Sequence, residues 1–575
     1  MHVRVLTDVV AIDREFTYTV PEGWADDTRF GVGAMVRVVL HGRRVGGWIT
    51  EVGVAPPEGV ALTPLAKLSS LGPDRGLIEL SRWAAWRWAG RRAHFLRTAS
   101  PARMVAALPR PQRSRLAPSD HSADLFKAEL FEGEGRTLRQ APSDDPLPVA
   151  LAAAARGQAL ILAPDQIRAD DLARRLARQG AWVTRYPGGW AEAAAGASVV
   201  GTLSAAWAPA PELASVLVID EHDESYRSEA APTWSGRDVA VERARRAGAP
   251  CVLMSPVPSL EALRSRPVLR PSRSAERAGW PQVDVVDRRS EDPGRAGLYS
   301  PQLVQALRDG GRSACVLNRR GRSLLLACRL CGELAVCAEC GSPMRQDDEQ
   351  RLVCRSAGHS RPTVCAACGS TAMRNLRAGV KRVREEVEAL VRAPVAEATA
   401  GGYDGPPTAR VVVGTEAVLH LGRPFDLVAF LELDQELLAP RFRAREQAFA
   451  LIARAARIAG PRNGGGRIVL QTRLPDDPVV TAALRADPAR LARAERDRRR
   501  ELGLPPYGAI AVVSGPAAGE FMDRFGTPLG VQVAPDLGGQ FFLRAPDRDA
   551  LCDALASAGR PSGRLRIDVD PLRAI

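Results

Sequence analysis

Three CxxC pairs crowd one stretch of the chain, Cys328/Cys331, Cys337/Cys340 and Cys365/Cys368, and a seventh cysteine, Cys354, lies among them. Seven of the ten cysteines are gathered there. Each pair can put two thiolates on one metal from a tight turn, as tetrahedral zinc requires at about 2.3 Å per Zn–S bond. The position that would complete a pair with Cys354 is Ala357, and His359 follows in Gly358-His359-Ser360. Seven cysteines and His359 make eight ligands, the number two closed sites need. Disulfides or buried free thiols fit poorly with three CxxC pairs in a chain that shows no secretory signal. No ligand position is left open, so two structural zincs are expected and metal catalysis is not.

A second constellation is Asp220-Glu221-His222-Asp223, delivered at the end of the apolar run Val216-Leu217-Val218-Ile219. Ligands of open α/β sheets bind at the carboxyl ends of strands. An Asp-Glu pair there suits a Mg-held nucleotide, with one carboxylate on the metal and the next positioning water. Such chemistry also needs a glycine-rich cradle and a lysine at a helix N-terminus. Lys67, Lys127 and Lys381 are the only lysines, and each lies elsewhere. Where the cradle should open this region the chain reads Gln140-Ala141-Pro142-Ser143-Asp144-Asp145-Pro146-Leu147-Pro148. Its prolines remove N–H donors and its aspartates repel phosphate. Asp220 and Glu221 are therefore read as vestigial, no catalytic residue is assigned, and ATP is not expected as a cofactor.

These groups need elements to hold them. Eight short apolar runs alternate with helix-like segments: Ala159–Ala163, Ser198–Thr202, Ser215–Glu221 and Pro250–Ser255, then Ser313–Asn318, Arg410–Thr415, Leu427–Asp434 and Arg467–Thr472. Runs apolar on both faces, separated by amphipathic helices, indicate parallel sheets covered on both sides. One run in each set ends in Gly-Thr, at Gly201-Thr202 and Gly414-Thr415, which predicts two similar α/β lobes with the cysteine segment inserted in the second. Ahead of them, residues 1–104 carry four short strand-like runs and a helix from Leu77 to Arg92 whose Trp83, Trp86 and Trp88 are expected to pack a core. Residues 105–135, broken by Pro109, Pro111 and Pro118, read as a linker with a short helix near Asp124–Leu130. After 480, a helix from Arg485 to Glu501 carries seven arginines, equally consistent with a solvated face and a nucleic-acid contact. Leu504-Pro505-Pro506-Tyr507 ends it, and a compact α+β unit follows.

With 575 residues the chain is long enough for several domains. Its net charge of +13 points to an acidic partner, most commonly nucleic acid. No apolar run reaches membrane-spanning length and the first residues do not form a secretory leader, so no membrane partner and a cytoplasmic location are expected. Nothing demands an oligomer, and a monomer is expected. The hairpin turn His41-Gly42-Arg43-Arg44 is a candidate phosphate contact.

Taken in order, the chain resembles the PriA family of bacterial replication-restart proteins. Asp13-Arg14-Glu15-Phe16-Thr17-Tyr18-Thr19-Val20-Pro21-Glu22-Gly23 follows the family's opening DRxFxYxVPEG, with Thr17 in place of the acidic residue after the phenylalanine. Asn318-Arg319-Arg320-Gly321 matches its NRRG, Pro440-Arg441-Phe442-Arg443-Ala444 its PDFRA and Gln471-Thr472 its QT. Leu504-Pro505-Pro506-Tyr507 and Ile567-Asp568-Val569-Asp570-Pro571 resemble its C-terminal signatures. The family's GxTGSGKT loop has become the Gln140–Leu147 stretch, with Pro146 in the lysine's place. Its SATPS reads Ser255-Pro256-Val257-Pro258-Ser259. Its QVAGRAGR reads Arg454-Ala455-Ala456-Arg457-Ile458-Ala459-Gly460-Pro461, so Ile458 and Pro461 replace the two arginines that reach the γ-phosphate. The family's winged-helix segment has no counterpart.

The resemblance implies a multidomain α/β protein with two degenerate RecA-like helicase lobes. Its expected parts are a β-rich DNA-binding domain (1–104) that takes a strand's 3′ end, a linker (105–135), lobe 1 (136–265), lobe 2 (266–327 and 371–480), a zinc-binding insertion (328–370) and an α+β C-terminal domain (481–575). It implies one zinc on Cys328, Cys331, Cys365 and Cys368 and another on Cys337, Cys340, Cys354 and His359. DNA contacts are expected at Phe16, Tyr18, Arg43, Arg44 and Lys67. The implied function is replication restart without helicase activity, binding forked or single-stranded DNA and recruiting the replicative helicase, primosome proteins and single-strand-binding protein. The alternatives are an ATP-dependent 3′–5′ helicase of the primosome and a zinc-ribbon DNA-binding regulator unrelated to forks.

Overall fold

A computed structural model describes the chain apart from residues 117–128, 290–297, 318–324, 340, 348, 355–357, 377–379, 536–538 and 574–575. The expected NRRG match (318–321), Lys127, Cys340 and most of the helix expected near Asp124–Leu130 lie outside the described residues.

The N-terminal unit is a five-stranded antiparallel sheet in the order Glu15–Thr19, His2–Thr7, Arg43–Val52, Met35–Leu40, Lys67–Ser70. Its buried residues include Val3, Val5, Val36, Val38 and Ile49, the alternation expected of a sheet with one face packed. The single helix expected over Leu77–Arg92 is two, Arg75–Arg87 and Arg92–Ala99. Asp74 caps the first by accepting from the Leu77 N–H at 3.0 Å. Ala89, in the left-handed region at φ 44°, turns the chain before the second. Two of the three tryptophans pack the core: Trp88 is fully buried, edge-on to Trp83 at 5.3 Å, and continues through Phe95 to Trp207 of the next unit. Trp86 instead is half-buried and donates its Nε1–H to the Asp553 carboxylate at 2.8 Å.

Two seven-stranded sheets follow. The first has the order Val268–Leu269, Thr137–Arg139, Cys251–Ser255, Leu213–Ile219, Gln158–Leu162, Ser198–Gly201, Val183–Arg185, all parallel. The second has the order Gln282–Asp287, Arg467–Thr472, Leu427–Phe430, Ser313–Val316, Val411–Gly414, Val395–Thr399, Gly402–Asp404, parallel but for the last strand. Setting aside the edge strand Val268–Leu269 of the first sheet and the edge strand Gly402–Asp404 of the second, the remaining six strands of each run in the same order of chain connection. Ser198–Gly201 and Val411–Gly414, the runs ending in Gly-Thr, hold equivalent places beside the first central strand of each lobe. All eight apolar runs form strands. The strands that periodicity missed, among them Thr137–Arg139, Val183–Arg185 and Val268–Leu269, are edge or short pieces without a sustained apolar pattern. Because Val268–Leu269 pairs with Thr137–Arg139, the first lobe's sheet continues past residue 265.

The cysteine-rich stretch is inserted between the strand Ser313–Val316 and the helix Val380–Val391, in a strand-to-helix connection of the second lobe. The stretch 105–135, expected as a linker, is laid along lobe 1 at both described ends. The Arg115 N–H donates to the Gly180 carbonyl at 2.8 Å, while Leu130 and Phe131 are buried in the lobe's core. The arginine-rich helix begins at Pro488, with Arg485 in the turn before it, because proline fits only the first helical turn. A four-stranded antiparallel sheet with two helices closes the chain. Among the described residues no helix is long and apolar enough to cross a membrane.

Candidate functional site

The cysteine module is built from one turn used four times. The Gly332 N–H donates to the Cys328 carbonyl, and the Cys328 N–H to the Glu333 carbonyl. The same two bonds join Cys337 with Gly341 and Ser342, Cys354 with Gly358 and His359, and Cys365 with Gly369 and Ser370. Each turn closes on a glycine in the left-handed region, Gly332, Gly341, Gly358 and Gly369 at φ 76°, 68°, 69° and 74°, where a Cβ is strained. These glycines were legible in the sequence as CRLCG, CAECG, CRSAG and CAACG, a signal that reading the cysteines alone passes over. The turn closed by Cys354, Gly358 and His359 thus keeps the knuckle's two hydrogen bonds, although the sequence has Ala357 at the position of the second thiol.

The turns bring together Cys328, Cys331, Cys365 and Cys368, and separately Cys337, Cys354 and His359, each group with its ligand atoms within 4.8 Å of one another. In the first, sulfur–sulfur separations are 3.6 Å (Cys328–Cys368) and 3.5 Å (Cys331–Cys365), near the roughly 3.8 Å edge of a tetrahedron with 2.3 Å Zn–S bonds. In the second, His359 presents Nδ1 to Cys337 Sγ at 3.4 Å, and its Nε2 meets the Glu339 carboxylate at 3.2 Å. A carboxylate on the far nitrogen is the usual way an imidazole ligand is oriented. Both groups could hold a metal ion, and their thiolate-rich donor sets fit zinc.

At Asp220 the cleft between the lobes is bridged by the protein's own side chains, while beside it a cavity of about 790 Å³ lies open, lined by Glu221, Asp223, Glu261, Arg443 and Arg454. Asp220 is 1% exposed, its backbone is in the left-handed region, and it takes Arg457 of the second lobe on both oxygens at 2.6 and 2.8 Å. Arg168 of the first lobe also donates to it. Burial pushes the Asp220 carboxyl up, but the charges of Arg168 and Arg457 outweigh burial and hold it well below the usual carboxylate range. The Nε–H of Arg457 reaches on to the Pro142 carbonyl at 3.0 Å, in the loop where a phosphate cradle would stand. That loop spends its own donors: the Ala141 N–H goes to the Asp144 carboxylate at 2.9 Å, and the Leu147 N–H to Asp145 at 3.0 Å. Glu221 accepts from the Ser259 N–H at 2.7 Å, the Ser259 hydroxyl at 2.8 Å and Arg237 at 3.1 Å. Asp223 is paired with Arg454, which also donates to Glu416 at 2.6 Å, and Arg443 crosses between the lobes to Glu261. Arg454 and Arg457 escaped the sequence reading because it followed the positions now held by Ile458 and Pro461.

In the N-terminal sheet the expected contacts divide. Tyr18 is 4% exposed and belongs to the core of the sheet, so its ring is not open to a base. Phe16 is half-buried beneath the Arg14 guanidinium at 5.7 Å. Arg43, Arg44 and Lys67 are exposed, the first two following the turn at His41 and Gly42. Register puts Arg44 and Lys67 on the same face as Arg37, which pairs with Gly46 on one side and Lys67 on the other. Arg37 was missed for want of a motif; only the register reveals it.

The family described as 3'DNA-binding domain (3'BD) matches residues 4–101. The chain is 31% identical over 570 residues to the probable replication restart protein PriA of Mycobacterium bovis, covering 89% of this chain and 86% of that one. It is 29% identical over 345 residues to the replication restart protein PriA of Bacillus subtilis, covering 55% of this chain and 43% of that one. Among solved structures, Saccharomyces cerevisiae Dbp5 bound to RNA and ADP BeF3 matches with a TM-score of 0.36 and 11% identity, over 68% of this chain and 94% of that one.

Proposed function

The chain belongs to the PriA family of replication restart proteins, and on that premise we propose that it binds branched or single-stranded DNA as a scaffold and works without ATP. The observation that carries the proposal is Arg457. A guanidinium from the second lobe occupies the carboxylate that would otherwise face a nucleotide-bound metal. A buried charge pair of this kind resists opening, because separating it removes two charged hydrogen bonds and leaves Asp220 with Arg168 alone. The lobes are thereby fastened to each other by residues that a working ATPase leaves free for nucleotide. Their retained sheets serve as a platform.

The exposed face with Arg37, Arg44 and Lys67, within the matched 3′ DNA-binding domain, supports phosphate contact there, with Arg43 beside it. Phe16 lies on the other face of the sheet, packed with Val5, Val36 and Ile49, and takes no part in this cationic patch. Zinc is proposed at both cysteine groups, with Cys340 as the remaining ligand of the second alongside Cys337, Cys354 and His359. In this role the partners are the replicative helicase, primosome proteins and single-strand-binding protein, and the zinc module is the part assigned to meeting them.

The test is binding of zinc-loaded protein to a fork with a free 3′ end, the same fork with that end blocked, and plain duplex, at fixed salt and without nucleotide. Tighter binding to the free-ended fork, unchanged by ATP, is the expected result. Equal affinity for all three would favour a zinc-ribbon regulator, and binding that requires ATP would favour a helicase.

A further inference from the structure

The helix Pro488–Glu501 carries two faces of opposite character. Leu491, Glu495 and Arg499 are buried, spaced by four. Arg490, Arg493 and Arg500 lie on the opposite face and are exposed. Arg496 and Arg498 are neutralised by Asp497 and Glu495, yet Arg490, Arg493 and Arg500 have no carboxylate partner among the described residues.

The stripe continues onto the first lobe. Arg273, in the helix Arg273–Ala278 that follows Val268–Leu269, is paired with Glu276 and donates to the Ala486 carbonyl at 2.9 Å, which ties the segment before the arginine-rich helix to Arg273–Ala278. At the other end Arg264 and Arg500 both stand over the Tyr507 ring, at 5.4 and 5.2 Å. Arg264 also donates to the Pro506 carbonyl, so the Leu504-Pro505-Pro506-Tyr507 turn is the joint that brings an arginine of lobe 1 beside the stripe. The result is one cationic band made from two separate parts of the chain.

We propose that this band is a second DNA-binding surface, distinct from the N-terminal domain, that takes the phosphate backbone of a duplex arm; the proposal rests on the DNA-binding reading above. From Arg490 to Arg500 the helix rises about 15 Å, the length of roughly four base-pair steps. Unpaired guanidiniums at that spacing complement a row of phosphates, and releasing the counterions of DNA drives such binding. A duplex is the fitting occupant because single-strand surfaces interleave open aromatic rings, and the band's ring, Tyr507, is already engaged by two guanidiniums. These contacts position the protein on DNA without reading its sequence.

The experiment measures affinity for a duplex closed by hairpins at both ends, which offers no 3′ terminus, as a function of salt. The wild type is compared with the triple variant R490A/R493A/R500A and with R490K/R493K/R500K. For the alanine variant the expected result is at least tenfold weaker binding near 0.1 M salt and a plot of log K against log salt shallower by about 2–3. The lysine variant keeps the charges and should keep the slope. An unchanged slope and affinity in the alanine variant overturns the band. So does a wild type that binds free-ended forks but not the closed duplex, an outcome that leaves the scaffold reading intact. A wild type that binds neither DNA overturns both. The three side chains are exposed and have no carboxylate partner among the described residues, and Arg500 alone rests on a ring, Tyr507, so matching thermal unfolding of all three proteins shows that the fold has not changed.

Discussion

Asp220 is a carboxylate locked into the fold by its charge partners. It is enclosed, its backbone is strained, and two arginines from two lobes meet on it. Asp220→Ala leaves Arg168 and Arg457 facing each other without a counter-charge and should destabilise the protein by about 3–5 kcal/mol. Arg457→Ala leaves Arg168 in place and should lose about 1.5–3 kcal/mol, the range for a charged hydrogen bond. Both are read from denaturant unfolding, and equal stability of all three proteins would refute the role. The pH dependence has a definite sign. The folded carboxyl is held below its unfolded value, so its contribution is complete above about pH 4 and is lost as the pH falls below it. Asp220→Asn should therefore show a shallower loss of stability on acidification than the wild type. The sequence disclosed the absence of the cradle through Pro146 and Asp144, but the replacement partner was hidden. Arg457 is one arginine among dozens, and only the crossing of the lobes singles it out.

At the scale of elements, the four knuckles show how much of a metal site is written in its glycines. Cys354 and His359 belong to a turn with the same two hydrogen bonds as the three CxxC turns, and His359, the proposed ligand, lies two residues past the position of the second thiol. Two zinc ions per chain are expected by elemental analysis of purified protein. His359→Ala should lower the content toward one while leaving the site of Cys328, Cys331, Cys365 and Cys368 filled. A content that stays at two would remove His359 from the ligand set. Gly358→Ala should also weaken the second site, since its φ of 69° disfavours a side chain. The sheets were legible wherever a strand is buried on both faces, as at Val216–Ile219 or Val411–Val413. Strands of two or three residues, such as Val268–Leu269, are fixed by their neighbours and leave no periodic trace.

Across the whole molecule, the C-terminal Ile567-Asp568-Val569-Asp570 segment works as a keystone. Asp570 accepts from Arg87 of the N-terminal helix at 2.5 Å, and Arg87 is 3.8 Å from Asp238 of the first lobe. Asp568 accepts from Arg227 at 3.0 Å and from Thr233 at 2.7 Å, both in that lobe. A single apolar cluster runs beneath these pairs, joining Leu77, Trp88, Leu160, Trp207, Phe521 and Ile567. Three units that the sequence separates therefore share one core. Asp570→Ala should strand the buried Arg87, destabilise by about 3–5 kcal/mol and split thermal unfolding into two transitions as the N-terminal unit uncouples. A single unshifted transition would show that the segment is incidental. This arrangement could not be read from the chain, because residues nearly five hundred positions apart carry no mutual pattern; the motif showed only that something was held there.

The central claim is that the lobes no longer turn over nucleotide. Its most direct test is ATP hydrolysis by zinc-loaded protein with saturating forked DNA, alongside Asp220→Ala and Glu221→Ala. No turnover above background in any of the three, with fork binding intact in the wild type, is the predicted result. DNA-stimulated hydrolysis by the wild type that either substitution abolishes would contradict it and restore the cleft as an active site.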